Sequence, residues 1–297
     1  MINTNSPKPF IQWAGGKRKL IPQIIQHLPK NFSELTDVTY IEPFIGGGSM
    51  LFYMLSHYSN IRQAIISDKN EKLINAYNAI KLSPTYLIAD LQALQNRYYS
   101  CNNLNSKKEM YLEIRNKFNE NKNGPITEAA FFIFLNKTCF NALYRVNNKN
   151  KFNVPFGKHI KPLICDEAAI IADSKLLEKV LILNENYSET LDYATENTLF
   201  YFDPPYRPLK SSQKLNQYTK DSFNDESQIY LKEFCDEITK RKYSFIESNS
   251  DGFSYNGDTF FKDLYKNYTI DRVFAARSIS SDATKRGKIA ELLITNY

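Results

Sequence analysis

The alternation of apolar and polar positions opens as strand, glycine turn and helix. Tyr40 and Ile41 begin a short apolar strand that runs into Glu42-Pro43-Phe44-Ile45-Gly46-Gly47-Gly48, and Ser49 to Leu55 follows with helical spacing. Ile61 to Ser67 predicts a second strand ending on Asp68, and Glu71 to Lys81 a second helix that stops near Pro84. This β-α-β-α order is the start of a doubly wound sheet. The pattern then breaks off: Thr85 to about Asn119 is polar and helix-like, and Glu128 to Phe140 predicts a buried helix entered from Gly124-Pro125. In the Asn-rich stretch beyond it, Val146 to Phe152 predicts two short strands around a turn.

Strand and helix alternation resumes at Lys179 to Leu183 and continues through Leu199 to Phe202, a helix from Asp225 to Lys240, and Tyr243 to Glu247. Tyr268 to Ala275 and Ile289 to Asn296 predict a closing hairpin, joined by a basic loop that contains Arg277. The interruption therefore predicts an insertion into a sheet domain. The sequence shows no internal repeat or low-complexity linker, so the two parts are expected to pack together.

Composition adds three constraints. At 297 residues and 42% hydrophobic content, the chain can bury a sizeable core. No apolar run approaches the roughly 20 residues needed to cross a bilayer, and Met1 to Pro9 is polar, so we expect a cytoplasmic protein with no membrane contact. Cys101, Cys139, Cys165 and Cys235 are scattered, with no CxxC pair, which predicts reduced thiols and no metal site.

The net charge of +6 is modest, but its location is informative. Between Ala129 and Cys165 there is no acidic residue, while Lys137, Arg145, Lys149, Lys151, Lys158 and Lys161 match the whole excess. Phe140, Tyr144, Phe152 and Phe156 are interleaved among them. A one-signed segment carrying aromatic rings suits a polyanion that displays bases; a plain solvated surface is the alternative.

Asp203-Pro204-Pro205-Tyr206 leaves the apolar run Leu199 to Phe202 at the carboxyl end of a predicted buried strand, where open α/β sheets hold ligands. Prolines lack an N–H, so the turn can offer carbonyl oxygens without competing donors. Asp203 and the Pro204 carbonyl could accept the two hydrogens of an exocyclic amine while Tyr206 stacks on its ring. Four residues alone would equally describe a Pro-Pro turn closing a strand. At the other candidate site, Gly46 to Gly48 let the backbone approach a ligand at a helix N-terminus, and Asp68, at the end of the next strand, could hold ribose hydroxyls. Leu51 stands where a dinucleotide fingerprint has its third glycine, which weakens a pyrophosphate reading. Glu42 favours a cationic ligand, such as S-adenosyl-L-methionine. Upstream, Trp13-Ala14-Gly15-Gly16-Lys17 could close over a ligand carboxylate, or could simply cap the core.

The amine of adenine is a weak nucleophile because its lone pair is delocalised into the ring. Acceptors aimed at both N–H groups favour a pyramidal nitrogen, and an activated methyl held about 3 Å away supplies proximity. In a duplex such a base must first be turned out of the stack.

Phe10 to Lys17, Glu42 to Ser49, Ser67 to Asn70, Asn136 to Asn147, Phe152 to Gly157, Asp203 to Tyr206 and Arg277 to Ser280 together resemble, in order and over essentially the whole length, the Dam-type DNA adenine-N6 methyltransferases. The resemblance implies an α/β, Rossmann-like S-adenosylmethionine-dependent methyltransferase sheet with an inserted, mostly helical target-recognition domain. The implied divisions are 1–70 (cofactor-binding part of the catalytic domain), 71–165 (recognition insert) and 166–297 (second catalytic part). Implied contacts to S-adenosyl-L-methionine come from Trp13, Lys17, Glu42, Phe44, Gly46, Gly48, Asp68 and Asp203, with Asp203, Pro204, Pro205 and Tyr206 catalytic. Implied contacts to double-stranded DNA come from Gln12, Lys137, Phe140, Asn141, Leu143, Arg145, Lys149, Pro155, Lys158 and Arg277.

Phe140 falls at the family's intercalating position, and Arg145 matches a guanine reader of members that methylate GATC. Two departures stand out: Gln12 replaces a lysine that helps read the first guanine, and Ala142 replaces a glycine. A short GATC-like or GAT-containing target is expected, with a monomeric enzyme and a restriction endonuclease of the same site as a candidate partner. Methylation of cytosine N4, an amide or an RNA base, and a DNA-binding regulator with an idle pocket, are the competing readings.

Overall fold

The computed structural model describes residues 7–207, 223–252, 257–275 and 289–297. In chain order the elements are α1 (Ile21–Ile24), β1 (Val38–Glu42), α2 (Ser49–His57), β2 (Ile61–Ser67), α3 (Glu71–Leu82), α4 (Pro84–Ser100), α5 (Leu104–Glu120), α6 (Pro125–Thr138) and α7 (Glu167–Leu177). They continue with β3 (Val180–Leu183), β4 (Thr198–Phe202), α8 (Asp225–Lys240), β5 (Ser244–Ser250), α9 (Phe260–Leu264), β6 (Thr269–Ala275) and β7 (Ile289–Thr295). The fold is mixed α/β, with a seven-stranded sheet in the order β3-β2-β1-β4-β5-β7-β6.

β1 runs parallel to β2 on one side and to β4 on the other, and β4 is parallel to β5. β7 then pairs antiparallel with both β5 and β6. Every residue of β1 and of β4 is buried. That is why Leu199 to Phe202 of β4 reads as a continuous apolar run instead of alternating, while β1 also buries Thr39 and Glu42. Strand order reverses between β1 and β4, so the crevice at their carboxyl ends is the topological switch point of the sheet.

Two compact units divide the chain. The first comprises 1–16, 45–57 and 67–185, and the second 17–44, 58–66 and 186–297. In the first, α6 is buried on nearly every side, and its close neighbours are α3, α4 and α5. The segment 71–165, expected as an insert, lies wholly inside this unit. The second unit carries β1, β4, β5, β6 and β7 with most of β2.

Several expectations carry over closely, including β2, α8 and the closing hairpin of β6 and β7. α3 also stops just before Pro84, as expected, and Pro84 then starts α4 at its first position, where its missing N–H costs nothing. Three points differ. The helix-like stretch Thr85 to Asn119 is broken at 101–103, where Asn103 and Ser106 form a capping box that starts α5. α7 has no counterpart in the sequence reading, because its apolar residues form no clean stripe and the buried Asp173 interrupts them. Val146 to Phe152 is a tight loop closed by a single antiparallel bridge, with no pair of strands. Among the described residues no helix is long and apolar enough to cross a membrane.

Candidate active site

In the second unit, β4 delivers Asp203 to the switch point and β1 delivers Glu42 beside it. Lys17, only 4% exposed, places Nζ 2.7 Å from Asp203 Oδ1 and 3.7 Å from Glu291 Oε2. The same ammonium lies 4.4 Å from the centre of the Tyr206 ring. Tyr206 donates its hydroxyl to Glu291 Oε2 at 2.6 Å, and Ser248 donates to Asp203 Oδ1 at 3.3 Å. The Pro205 carbonyl accepts from the buried Gln228 Nε2 at 3.1 Å, whereas among the described residues no donor reaches the Pro204 carbonyl. Pro205 is thus a fixed support of the turn, and the buried Pro204 lies between it and Asp203.

Charge is concentrated here. Burial pushes the Asp203 carboxyl upward; Lys17 opposes the shift and Glu291 adds to it, and the net direction is up. The buried Tyr201 hydroxyl is raised well above its ordinary value, by burial first and then by Asp203, Glu42 and Glu291. Two carboxylates, Asp203 and Glu291, therefore face the Lys17 ammonium in a partly dry setting, and Glu42 adds negative charge nearby, which favours a cationic ligand over a phosphate. Glu42 accepts the Tyr40 hydroxyl at 2.9 Å, and the ring of Phe44 packs near Tyr187, Phe202 and Phe223.

In the first unit, the glycine turn is shaped by close approaches. Gly46 and Gly48 have φ of 48° and 72°. A Cβ on Gly46 would lie 2.9 Å from Trp13 Cδ1, and one on Gly48 would lie 2.4 Å from the Tyr77 hydroxyl. Asp68 accepts the Gly46 N–H through Oδ2 at 3.2 Å and the Asn70 N–H through Oδ1 at 2.9 Å. Each oxygen retains a lone pair for a further donor. Burial raises the Asp68 carboxyl, and these two backbone donors oppose the shift. The buried Leu51 fills the position of the absent third glycine.

Much of the basic segment of the first unit is exposed, although Phe152 and Val154 within it are buried. Phe140 is 50% exposed, and Asn141, Leu143, Arg145, Lys149, Pro155 and Lys158 are all exposed. Two bridges, Cys139 with Phe156 and Val146 with Phe152, hold the segment in shape. Phe140 N–H donates to the Pro155 carbonyl at 2.9 Å, and Arg145 Nε to Asn153 Oδ1 at 2.8 Å. Gln12 is exposed, and the buried Asn136 clamps its backbone from both sides, accepting its N–H at 3.0 Å and donating to its carbonyl at 2.8 Å. Lys137 differs from its neighbours. It is half-buried, with its pKa lowered by burial, and faces Asp166, Lys8 and Asp173. Arg277 lies outside the described residues.

Sequence reasoning missed Glu291, Ser248, Asn136 and Asn153. Glu291 and Ser248 reach the Asp203 cluster only through strand pairing, for which no local motif gives a signal. Asn136 and Asn153 lie in Asn-rich surroundings whose composition does not distinguish structural amides from base-reading ones.

Comparison with known proteins agrees with this chemistry. Residues 13–279 match the D12 class N6 adenine-specific DNA methyltransferases, and the chain belongs to that family. It is 43% identical to the type II methyltransferase M.MjaIII of Methanocaldococcus jannaschii, over 98% of this chain and 99% of that protein. It is 32% identical to the type II methyltransferase M1.LlaDCHI of Lactococcus lactis subsp. cremoris, over 98% of this chain and 95% of the relative. With the DNA adenine methylase of Escherichia coli strain K12 it shares 30% identity, over 96% of this chain and 93% of that enzyme. The protein is an adenine-specific DNA methyltransferase by family.

Proposed function

We propose that this methyltransferase takes its methyl group from S-adenosyl-L-methionine and places it on N6 of an adenine turned out of a short, specific site in double-stranded DNA. The observation that carries the reading is the carboxylate of Asp203, held by Lys17 and Ser248 at the switch point of the sheet and followed directly by Pro204. The residues also suit the donor. Asp68 has lone pairs for ribose hydroxyls, the glycine turn admits a ligand to the backbone, and Glu42, Asp203 and Glu291 favour a positive sulfonium. When bound, S-adenosyl-L-methionine supplies an electrophilic methyl.

Trp13, Lys17, Glu42, Phe44, Gly46, Gly48 and Asp68 are assigned to hold it. Asp203 and Pro204 accept the two amine hydrogens and stabilise positive charge as it develops on nitrogen. Tyr206 packs on the base, and Pro205 stiffens the turn. The segment 71–165 is assigned to recognition, with Phe140 filling the vacated stack and Leu143, Arg145, Pro155 and Lys158 at the bases. Gln12 and Asn141 contribute from the same surface, and Lys149 meets the phosphates. Lys137 is held back by its half-burial, so we assign it a supporting place under that surface.

The target is read as a short GATC-like or GAT-containing site and the enzyme as a monomer. A restriction endonuclease of the same site is the natural companion, given the type II names of two relatives. Transfer of labelled methyl to duplex DNA, with sequencing that detects modified bases, tests the reading. N6-methyladenine at one short motif is expected; label on cytosine or no label would overturn it. Gln12→Lys tests the first base, and an unchanged site preference would show that this position does not set it.

A further inference from the structure

Tyr144 lies where the exposed recognition segment meets the glycine turn. Its ring stacks on Trp13, with centroids 5.6 Å apart and planes inclined by 24°. Phe132 of α6 and Phe152 of the recognition loop pack at 5.6 Å and 5.7 Å from the same ring. The Asn70 side chain lies near the Tyr144 hydroxyl. Asn70 also caps α3 and gives its N–H to Asp68, which in turn holds the N–H of Gly46. Gly46 packs against Trp13 so closely that a Cβ there would clash.

The contacts run in series from Tyr144 through Trp13 and Gly46 to Asp68 and Asn70, which brings the Asn70 side chain back near the Tyr144 hydroxyl. From Tyr144 the chain passes directly to Arg145, whose carbonyl accepts Asn153 N–H at 3.1 Å and whose Nε donates to the same residue.

We propose that Tyr144 is a positioning residue that links cofactor binding to DNA recognition, acting through Trp13 and Asn70 on one side and Arg145 on the other. The proposal rests on the assignment of Trp13 and Asp68 to the cofactor. Phe132 is nearly fully buried, and little free space surrounds packed rings, so a ligand that reorients Trp13 or draws on Asp68 displaces Tyr144 as well. The adjoining guanidinium then changes its aim. By linkage the effect is reciprocal, and DNA that fixes Arg145 strengthens cofactor binding by the same factor. Ordinary core packing would give Tyr144 an effect on stability only.

Trp13 is the only tryptophan in the chain, so its emission reports binding directly. The experiment titrates the full-length protein with S-adenosyl-L-homocysteine, with and without a saturating duplex that contains GATC. In the wild type the duplex is expected to tighten S-adenosyl-L-homocysteine at least about five-fold. In Tyr144→Leu this ratio falls below about two-fold, whatever the lost ring packing does to the melting temperature, because each ratio compares one variant with itself with and without DNA. Tyr144→Phe keeps the stack but removes the hydroxyl that lies near Asn70, and gives a ratio between the two.

A wild-type ratio in Tyr144→Leu overturns the proposal, as does an uncoupled wild type. If Tyr144→Leu fails to fold, a wild-type ratio in Tyr144→Phe is sufficient to overturn it. A Trp13 emission that ignores S-adenosyl-L-homocysteine would instead remove the underlying cofactor assignment, and this inference with it.

Discussion

Replacing Asp203 by asparagine tests the central chemistry while leaving the shape of the site almost unchanged. Lys17 Nζ, 2.7 Å from Asp203 Oδ1, will hold the amide oxygen and turn the new NH2 toward the substrate amine. A donor then meets a donor where an acceptor is required. Loss of one preorganised group of this kind costs about 3 to 4 kcal/mol in the transition state, or roughly 10² to 10³ in rate. The misdirected NH2 puts Asp203→Asn at the upper end of that range.

Stability should suffer less. Glu291 Oε2 remains 3.7 Å from the ammonium, and because Coulomb attraction falls inversely with distance it provides about three-quarters of what Asp203 provides. A loss of about 1 to 3 kcal/mol follows, below the 3 to 5 typical of a fully orphaned buried charge. DNA affinity rests on phosphate contacts elsewhere and should hold within about two-fold. Single-turnover methyl transfer, thermal melting and DNA titration separate the three quantities. A single-turnover rate within ten-fold of wild type would refute the role given to Asp203. The same carboxylate must be ionised to work, and burial raises its pKa, so the acid limb of the wild-type rate should lie above the ordinary carboxylate range.

Three further outcomes are expected. Lys149→Ala should weaken binding to all duplexes alike and reduce the slope of log affinity against log salt by about one; a loss confined to one base change would instead assign it to base reading. Gly157→Ala would set a Cβ 2.3 Å from the Cys139 carbonyl oxygen, forcing apart the bridge that supports Phe140 and Pro155. It should cost about 1 to 3 kcal/mol and lower DNA affinity more than the single-turnover rate, and unchanged DNA titration would contradict this. Glu247 is fully buried with its pKa raised to about 7, so the folded state holds its proton more tightly than the unfolded chain does. Its contribution is complete below about pH 4.5 and lost as pH rises through about 7, at a cost of roughly 3 kcal/mol. Denaturant midpoints between pH 5 and 8 should therefore decline in the wild type and flatten in Glu247→Gln, and parallel curves would exclude Glu247 as the source.

The sequence by itself determined the strands and helices with uniform burial or strong end signals. β2 stops at Ser67 directly before Asp68, α8 begins at Asp225, and β4 runs into Asp203-Pro204-Pro205-Tyr206 as expected. Residues close in sequence sufficed for these, because periodicity, caps and proline act over a few positions. The exposure of Phe140, Leu143 and Arg145 was also legible, since a stretch free of acids and rich in cations has little reason to be buried.

Only the tertiary structure decided which distant groups share an environment. Lys17, Asp203, Ser248 and Glu291 come together through sheet pairing across more than 250 residues, and nothing local to Glu291 announces it. Half-burial takes Lys137 out of the exposed set to which its sequence neighbours assigned it. Asn136 and Tyr144 are told apart from the asparagines and aromatics around them only by what they touch. Charge and pattern fix what a segment prefers, but the desolvation and pairing that give a side chain its task depend on neighbours that the chain supplies only once folded.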